Sequence, residues 1–218
     1  MTACLSTEGT LKLKGKVTDE LTDIPVSGKD IIVQGLVDSS DKLIPVDAGQ
    51  FTTDSSGHFS YSLKKVKDAW SYNFSIVGDS DYAFMKRTLG LGELKYNAEY
   101  LFFTLDKLVD LTIKIHRKSK TPLCDTLYLS WESNGVDCKF LYPYKIDNYT
   151  KTDNYLGSTS DLKLCWVGGI VNSTVKTRVV CDKLTRIHWD LARNRKRNEI
   201  TDTITCKRDV VNIVNFVY

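Results

Sequence analysis

The sequence predicts an all-β chain built as two consecutive antiparallel β-sandwich domains, and three observations carry that prediction. Apolar and polar residues alternate with period two in run after run, which gives a strand one buried and one wet face. Short clusters of Gly, Asp, Asn and Ser separate the runs, as turns do. Thr, Val, Ile, Tyr and Phe recur throughout while Met occurs only twice and Pro four times, a strand-former composition.

In the first half, Leu11, Leu13, Gly15 and Val17 alternate with Lys12, Lys14, Lys16 and Thr18. Phe59, Tyr61 and Leu63 share one face of the next clear run, and Trp70, Tyr72, Phe74 and Ile76 share one face of another. In the second half, Leu111, Ile113 and Ile115 oppose Thr112, Lys114 and His116, while Ile187, Trp189 and Leu191 oppose His188, Asp190 and Ala192. Strands are expected near 9–18, 30–37, 57–64, 70–77, 82–89 and 97–105, then near 109–116, 126–133, 163–167, 174–181, 185–192, 199–206 and 210–217. Turns are marked by Asp54-Ser55-Ser56-Gly57, Val77-Gly78-Asp79-Ser80-Asp81, Ser133-Asn134-Gly135 and Gly168-Gly169. The polar, Tyr-rich stretch 140–162 is the longest candidate loop.

A faint echo links the halves. Val17, Ile24-Pro25-Val26 and Asp30-Ile31-Ile32-Val33 resemble Ile115, Thr121-Pro122-Leu123 and Asp125-Thr126-Leu127-Tyr128. Duplication explains this, and so does chance. The boundary falls near 106–109. The expected organisation is therefore an N-terminal tether at 1–8, one sandwich over 9–108 and a second over 109–218.

At 218 residues, 42% hydrophobic and 11% aromatic, the chain can fill a core, which excludes wholesale disorder. It holds no run of about 18 apolar residues. Residues 1–108 carry 12 Lys+Arg against 15 Asp+Glu, and residues 109–218 carry 18 against 12. That excess is too mild for a nucleic-acid footprint. Cys4 stands alone, and Cys124, Cys138, Cys165, Cys181 and Cys206 lie in the second half with no CxxC or Cys/His quartet. They are either small buried hydrophobes or the makings of one or two bridges. Five is odd, so one thiol stays free unless Cys4 joins.

Little catalytic chemistry is legible. His58, His116 and His188 fall on three strands, each at a wet-face position. No G-x-S-x-G elbow, HExxH, P-loop or GxGxxG occurs, so no enzyme, metal or cofactor is expected. Asp38-Ser39-Ser40-Asp41 and Asp79-Ser80-Asp81 offer oxygens to calcium but read first as turns that cap their own backbone. Trp70, Trp131, Trp166 and Trp189 are expected in the core. Tyr142, Tyr144, Tyr149 and Tyr155, on the polar loop, are the candidate ligand contacts, since tyrosines give rigid amphipathic contact area. Arg193, Arg195, Lys196 and Arg197 read as a solvated hairpin tip or a patch for an anionic surface. The sequons at Asn73, Asn148 and Asn172 matter only in a eukaryotic secreted protein.

Gly15-Lys16-Val17-Thr18-Asp19, then Ile24-Pro25-Val26-Ser27-Gly28, then Thr53-Asp54-Ser55-Ser56-Gly57-His58-Phe59 carry a resemblance over roughly 9–77. They resemble the carboxypeptidase-regulatory-like family, a transthyretin-like β-sandwich, in its pattern of G-x-V-x-D, a proline-marked turn, and T-D-x-x-G-x-F. The chain departs from it at Lys29-Asp30, where a small residue is usual. The resemblance implies a non-enzymatic module of the kind frequent in cell-envelope lipoproteins. Thr2-Ala3-Cys4 is similar to the end of a lipobox, which would make Cys4 a lipid anchor, although Met1 stands where the apolar leader should end. The resemblance and the lipobox-like end together imply a monomeric binding or adhesion module for a protein or glycan partner, touching the membrane only through that lipid. The alternatives are a fimbrial-type subunit assembling by strand exchange through Val210–Tyr218, and an intracellular interaction protein.

Overall fold

In a computed structural model the described residues are 9–39, 42–96, 100–117, 126–133, 136–137, 145–147, 151–154, 162–167, 172–193 and 196–218. The chain is all-β, as the alternation predicts, and divides into two units, Met1–Lys107 and Leu108–Tyr218.

The first unit contains β1 (Thr10–Asp19), β2 (Asp30–Ser39), β3 (Lys42–Thr52), β4 (His58–Lys64), β5 (Ala69–Ile76), β6 (Met85–Gly90), a short helix α1 (Leu91–Tyr96) and β7 (Leu101–Leu105). They form two sheets, ordered β4-β1-β7 and β3-β2-β5-β6. The apolar face of each strand turns inward. Leu13 and Val17, Phe59 and Leu63, and Phe103 and Leu105 from one sheet meet Ile31, Val33, Tyr72, Phe74 and Ile76 from the other. Phe74 and Phe103 touch across the gap with ring centroids 5.6 Å apart.

The motif residues have physical jobs in this unit. A Cβ at Gly15 would lie 2.2 Å from the Leu101 carbonyl oxygen and 2.4 Å from the Phe59 ring, so β1 needs glycine where β4 and β7 close over it. Asp19 Oδ1 accepts from the Leu21 and Thr22 amides, holding the turn that leaves β1. Asp54 Oδ1 accepts from Ser56 and His58 amides, and Gly57 takes φ +72° in the same turn. Buried Thr53 accepts from the Lys29 amide and donates to the Val26 carbonyl, tying β3 to the segment before β2.

The second unit contains β8 (Leu108–His116), β9 (Thr126–Ser133), β10 (Val136–Asp137), β11 (Lys145–Ile146), β12 (Lys151–Asn154), β13 (Leu162–Val167), β14 (Asn172–Val180), β15 (Leu184–Arg193), β16 (Lys196–Thr205) and β17 (Asn212–Val217). One sheet runs β12-β13-β9-β15-β16 with β10 on β9; the other runs β11-β14-β8-β17. Trp189 on β15 stacks on Phe216 of β17 at 3.8 Å, and the Ser133 hydroxyl accepts from the Val180 amide, so both apolar and polar contacts join the two sheets.

Several features were not foreseen, among them the short helix α1 and the short strands β11 and β12 inside the stretch 140–162 expected as a loop. The strand β3 falls where no strand is expected, because Leu43, Ile44 and Val46 are exposed and show no buried alternation. Two pairings are parallel rather than antiparallel, β1 with β7 and β8 with β17. Trp70 corrects an expectation. It is 55% exposed, whereas Trp131, Trp166 and Trp189 are buried. On β2, Leu36 pairs with Ser71 and its neighbour Val37 with Ala69, so Trp70 is the extra residue of a bulge. The bulge seats Ala69 inward and leaves Trp70 outside.

Candidate binding face

The outer face of the three-stranded sheet in the first unit gathers the densest chemistry. Alternation along β1 sends Leu11, Leu13 and Val17 inward and Lys12, Lys14 and Lys16 outward, about 6.7 Å apart along the strand. Across the ladder Lys12 faces Ser62, Lys14 faces Ser60, and Thr10 faces Lys64. Lys16 lies between His58 on β4 and Phe102 on β7. Phe102 is 62% exposed, and Tyr100 lies against it with ring centroids 4.7 Å apart. His58 meets the Tyr100 ring edge-on at 6.4 Å.

This arrangement is not what solvation alone requires. β1 is the central strand of its sheet, so its lysines do not guard an edge against foreign strands. That role falls to Arg87, whose Nη1 donates to the Phe102 carbonyl at 3.1 Å on the open side of β7. The cross-strand neighbours are Ser62 for Lys12, Ser60 for Lys14, and His58 and Phe102 for Lys16, none of them a carboxylate, and among the described residues Lys12, Lys14 and Lys16 make no ion pair. In a half-chain where carboxylates outnumber cations, Lys12, Lys14, Lys16 and Lys64 share one face, and among the described residues of these three strands no carboxylate takes an outward position. The row can pair with successive anionic groups of an extended ligand, and the aromatic cluster at its end can take an apolar ring face.

The other sequence candidates scatter. Cys4, Tyr142, Tyr144, Tyr149 and Tyr155 lie outside the described residues. His116 and His188 are exposed on different sheets of the second unit, bonded to Asn172 Oδ1 at 2.5 Å and Thr201 Oγ1 at 3.1 Å. No group of three His, Cys, Asp or Glu side chains converges on a metal position among the described residues. Asp79 is a turn residue. Its Oδ1 accepts from the Asp81 and Tyr82 amides, and its other oxygen pairs with buried Lys29. Desolvation works to raise the Asp79 pKa, but the Lys29 bond and the two amides outweigh it and hold the carboxyl below its ordinary range. The Lys29 and Lys107 ammonium groups both lie within cation–π distance of the Tyr82 ring, 4.8 and 4.5 Å from its centroid. Of the second calcium candidate, Ser40 and Asp41 lie outside the described residues.

The basic hairpin joins β15 to β16. Arg197 pairs with Asp190 at 3.5 Å and lies over the Tyr128 ring, while Arg195 falls outside the described residues. A cleft of about 360 Å³ opens in the second unit, lined among others by Lys114, His116, Asp147, Asn172 and Asn215. Its histidine is engaged by Asn172 and its Ser173 hydroxyl donates to the Asp147 carbonyl, so no base-activated nucleophile arises there. Asn73 is buried and accepts from the Thr88 hydroxyl at 2.6 Å.

The lysine–aromatic face was not foreseen as a site. Its signal was present in Lys12, Lys14 and Lys16, but Phe102 and Tyr100 join them only because β7 pairs parallel to β1.

No protein-family model matches the chain, and no curated protein sequence does. Among solved structures the chain is similar to a streptococcal ancillary pilin, at TM-score 0.41 and 12% identity over 95% of this chain and 62% of that one. It is also similar to the full-length major pilin SpaD from Corynebacterium diphtheriae, at TM-score 0.35 and 9% identity over 89% of this chain and 64% of that one. The shaft pilin SpaA from Lactobacillus rhamnosus GG gives TM-score 0.33 and 10% identity over 97% and 98%. The chain thus spans less than two thirds of the first two. A TM-score under 0.5 does not define a shared fold, so these proteins' roles say nothing about this chain's chemistry.

Proposed function

We propose that the chain is a non-enzymatic binding or adhesion module of the bacterial cell envelope, tethered through a lipid on Cys4, and that the outer face of β4-β1-β7 takes an anionic glycan. The observation that carries this reading is the lysine row on a central strand, free of carboxylates among the described residues and ending in the Tyr100–Phe102 pair. Each exposed ion pair contributes only about 0.2–1 kcal/mol, so affinity requires several at once along a repeating anion. A sugar ring supplies the complementary apolar face for Phe102 while its carboxylate or sulfate meets Lys16. Tyr142, Tyr144, Tyr149 and Tyr155 remain a second candidate contact.

The strand-exchange alternative is disfavoured by β17, which lies in its own sheet parallel to β8 with Phe216 against Trp189. Donating that strand would expose both rings.

Titration with polygalacturonate, with neutral dextran and polyglutamate as controls, tests the face. Binding to polygalacturonate is expected to weaken with salt and to fall at least tenfold in Lys12→Ser/Lys14→Ser/Lys16→Ser. Phe102→Ala is expected to weaken polygalacturonate binding and leave polyglutamate binding unchanged. Equal affinity of the triple variant and the wild type removes the face, and the loop variants Tyr144→Ala and Tyr149→Ala then become decisive. Mass spectrometry of the N-terminal peptide from native cells tests the anchor: an acylated Cys4 supports it, and an unmodified N-terminus overturns it.

A further inference from the structure

We propose that Cys181 and Cys206 form a disulfide that staples the two sheets of the second unit together. Cys181 follows β14 directly, in the sheet that holds β8 and β17; Cys206 follows β16, at the edge of the other sheet. Both side chains are buried, at 1% and 0% exposure. The Asp182 amide donates to the Cys206 carbonyl at 2.8 Å. Covalent geometry on either side of that bond keeps the two Cα atoms within about 7 Å, the span a disulfide bridges without moving backbone. The Arg208 backbone also acts on the Cys181 thiol, which sets that sulfur near the segment carrying Cys206. In the reduced form the Cys181 thiol lies 3.3 Å from Asp182 Oδ2, so forming the bond requires a rotamer change rather than a new backbone path.

The chemistry is thiol–disulfide exchange with a disulfide donor, low-molecular-weight or protein. One thiolate attacks the donor disulfide and releases one thiol; the second thiolate then attacks the mixed disulfide and releases the other. Two cysteine thiols are oxidised, the donor is reduced to two thiols, and each protein thiol gives up its proton. Burial, and secondarily the neighbouring Cys181, pushes the Cys206 pKa up to about 11, so the folded reduced pair holds little thiolate. Oxidation is therefore slow in the folded reduced chain, and burial of both side chains keeps an external thiolate from the finished bond. The bond forms during folding in an oxidising compartment and, once buried, resists reduction.

The test is to refold the whole chain in a reduced/oxidised glutathione buffer, alkylate it in denaturant, and map the peptides by mass spectrometry. The expected result is a Cys181–Cys206 linked peptide and a melting temperature about 10 °C above that of the same protein kept in reductant. Cys181→Ser/Cys206→Ser is expected to melt with the reduced wild type, and the reduced wild type itself provides the comparison should that variant not fold. Quantitative alkylation of both thiols after oxidative refolding overturns the proposal, as does either cysteine linked to Cys124, Cys138 or Cys165.

Discussion

The two units share one wiring diagram and fill it differently. In each, the first strand pairs antiparallel with the fourth main strand and parallel with the last: β1 with β4 and β7, β8 with β14 and β17. The second pairs with the third and fifth, β2 with β3 and β5, β9 with β13 and β15, and the sixth, β6 or β16, closes the edge. The second unit adds β10, β11 and β12 between its second and third main strands. The crossing before the last strand differs most. The first unit makes it through α1, whose Leu94 is fully buried; the second makes it through the short 206–211 turn, with Cys206 fully buried. Connectivity thus persists while the side chains that close each corner change, because strand pairing uses backbone groups that every sequence supplies and packing uses side chains that it does not.

The largest test of that comparison lies in the core of the second unit. Trp189→Ala removes a buried indole that stacks on Phe216 and donates to Asp202 at 3.0 Å, and is expected to cost about 4 kcal/mol in urea unfolding. A loss below about 1 kcal/mol shows that the β15–β17 contact does not hold the second unit together.

Gly15→Ala is next, at about 3 kcal/mol, because the added methyl meets a backbone oxygen rather than a side chain that can swing aside. A neutral result by the same unfolding assay means β7 does not close tightly on β1.

Lys29→Ala, which strips the buried partner from Asp79, is expected to cost about 2 kcal/mol, and Lys29→Met less. The pH dependence has a defined sign. The Asp79 carboxyl is held below its ordinary 3.8, so its contribution is complete above about pH 4 and disappears as pH falls through the lowered value. Asp79→Asn should flatten the acid limb of the stability curve below pH 4; an unchanged limb assigns acid lability elsewhere.

The smallest effect is expected at Trp70→Ala, within about 0.5 kcal/mol, since the ring is in solvent. A loss near that of Trp189→Ala would place Trp70 in a core after all.

Most strands of both units were readable from alternation, and Asp54 to Gly57 announced its turn by residue type. The faint echo between Val17–Val33 and Ile115–Tyr128 falls on β1–β2 and on the stretch leading from β8 into β9, which hold equivalent places in the two units. β3 was hidden because its first half is exposed on both faces and carries no period. Trp70 was misplaced because a bulge shifts the inside–outside alternation by one residue, which no local pattern announces. The candidate site was half legible. The lysine row is written in β1, but its aromatic end comes from residues more than eighty positions later.

Short-range information therefore decided the class of the fold: period-two alternation and turn chemistry act within a few residues, and each is complete in the local chain. Tertiary structure alone decided which strand lies beside which, that the last strand of each unit runs parallel to its first, and that the turn after β14 bonds through the Asp182 amide to the Cys206 carbonyl. Those are contacts between distant segments, selected by the joint burial of whole faces, and no single segment contains the information for them.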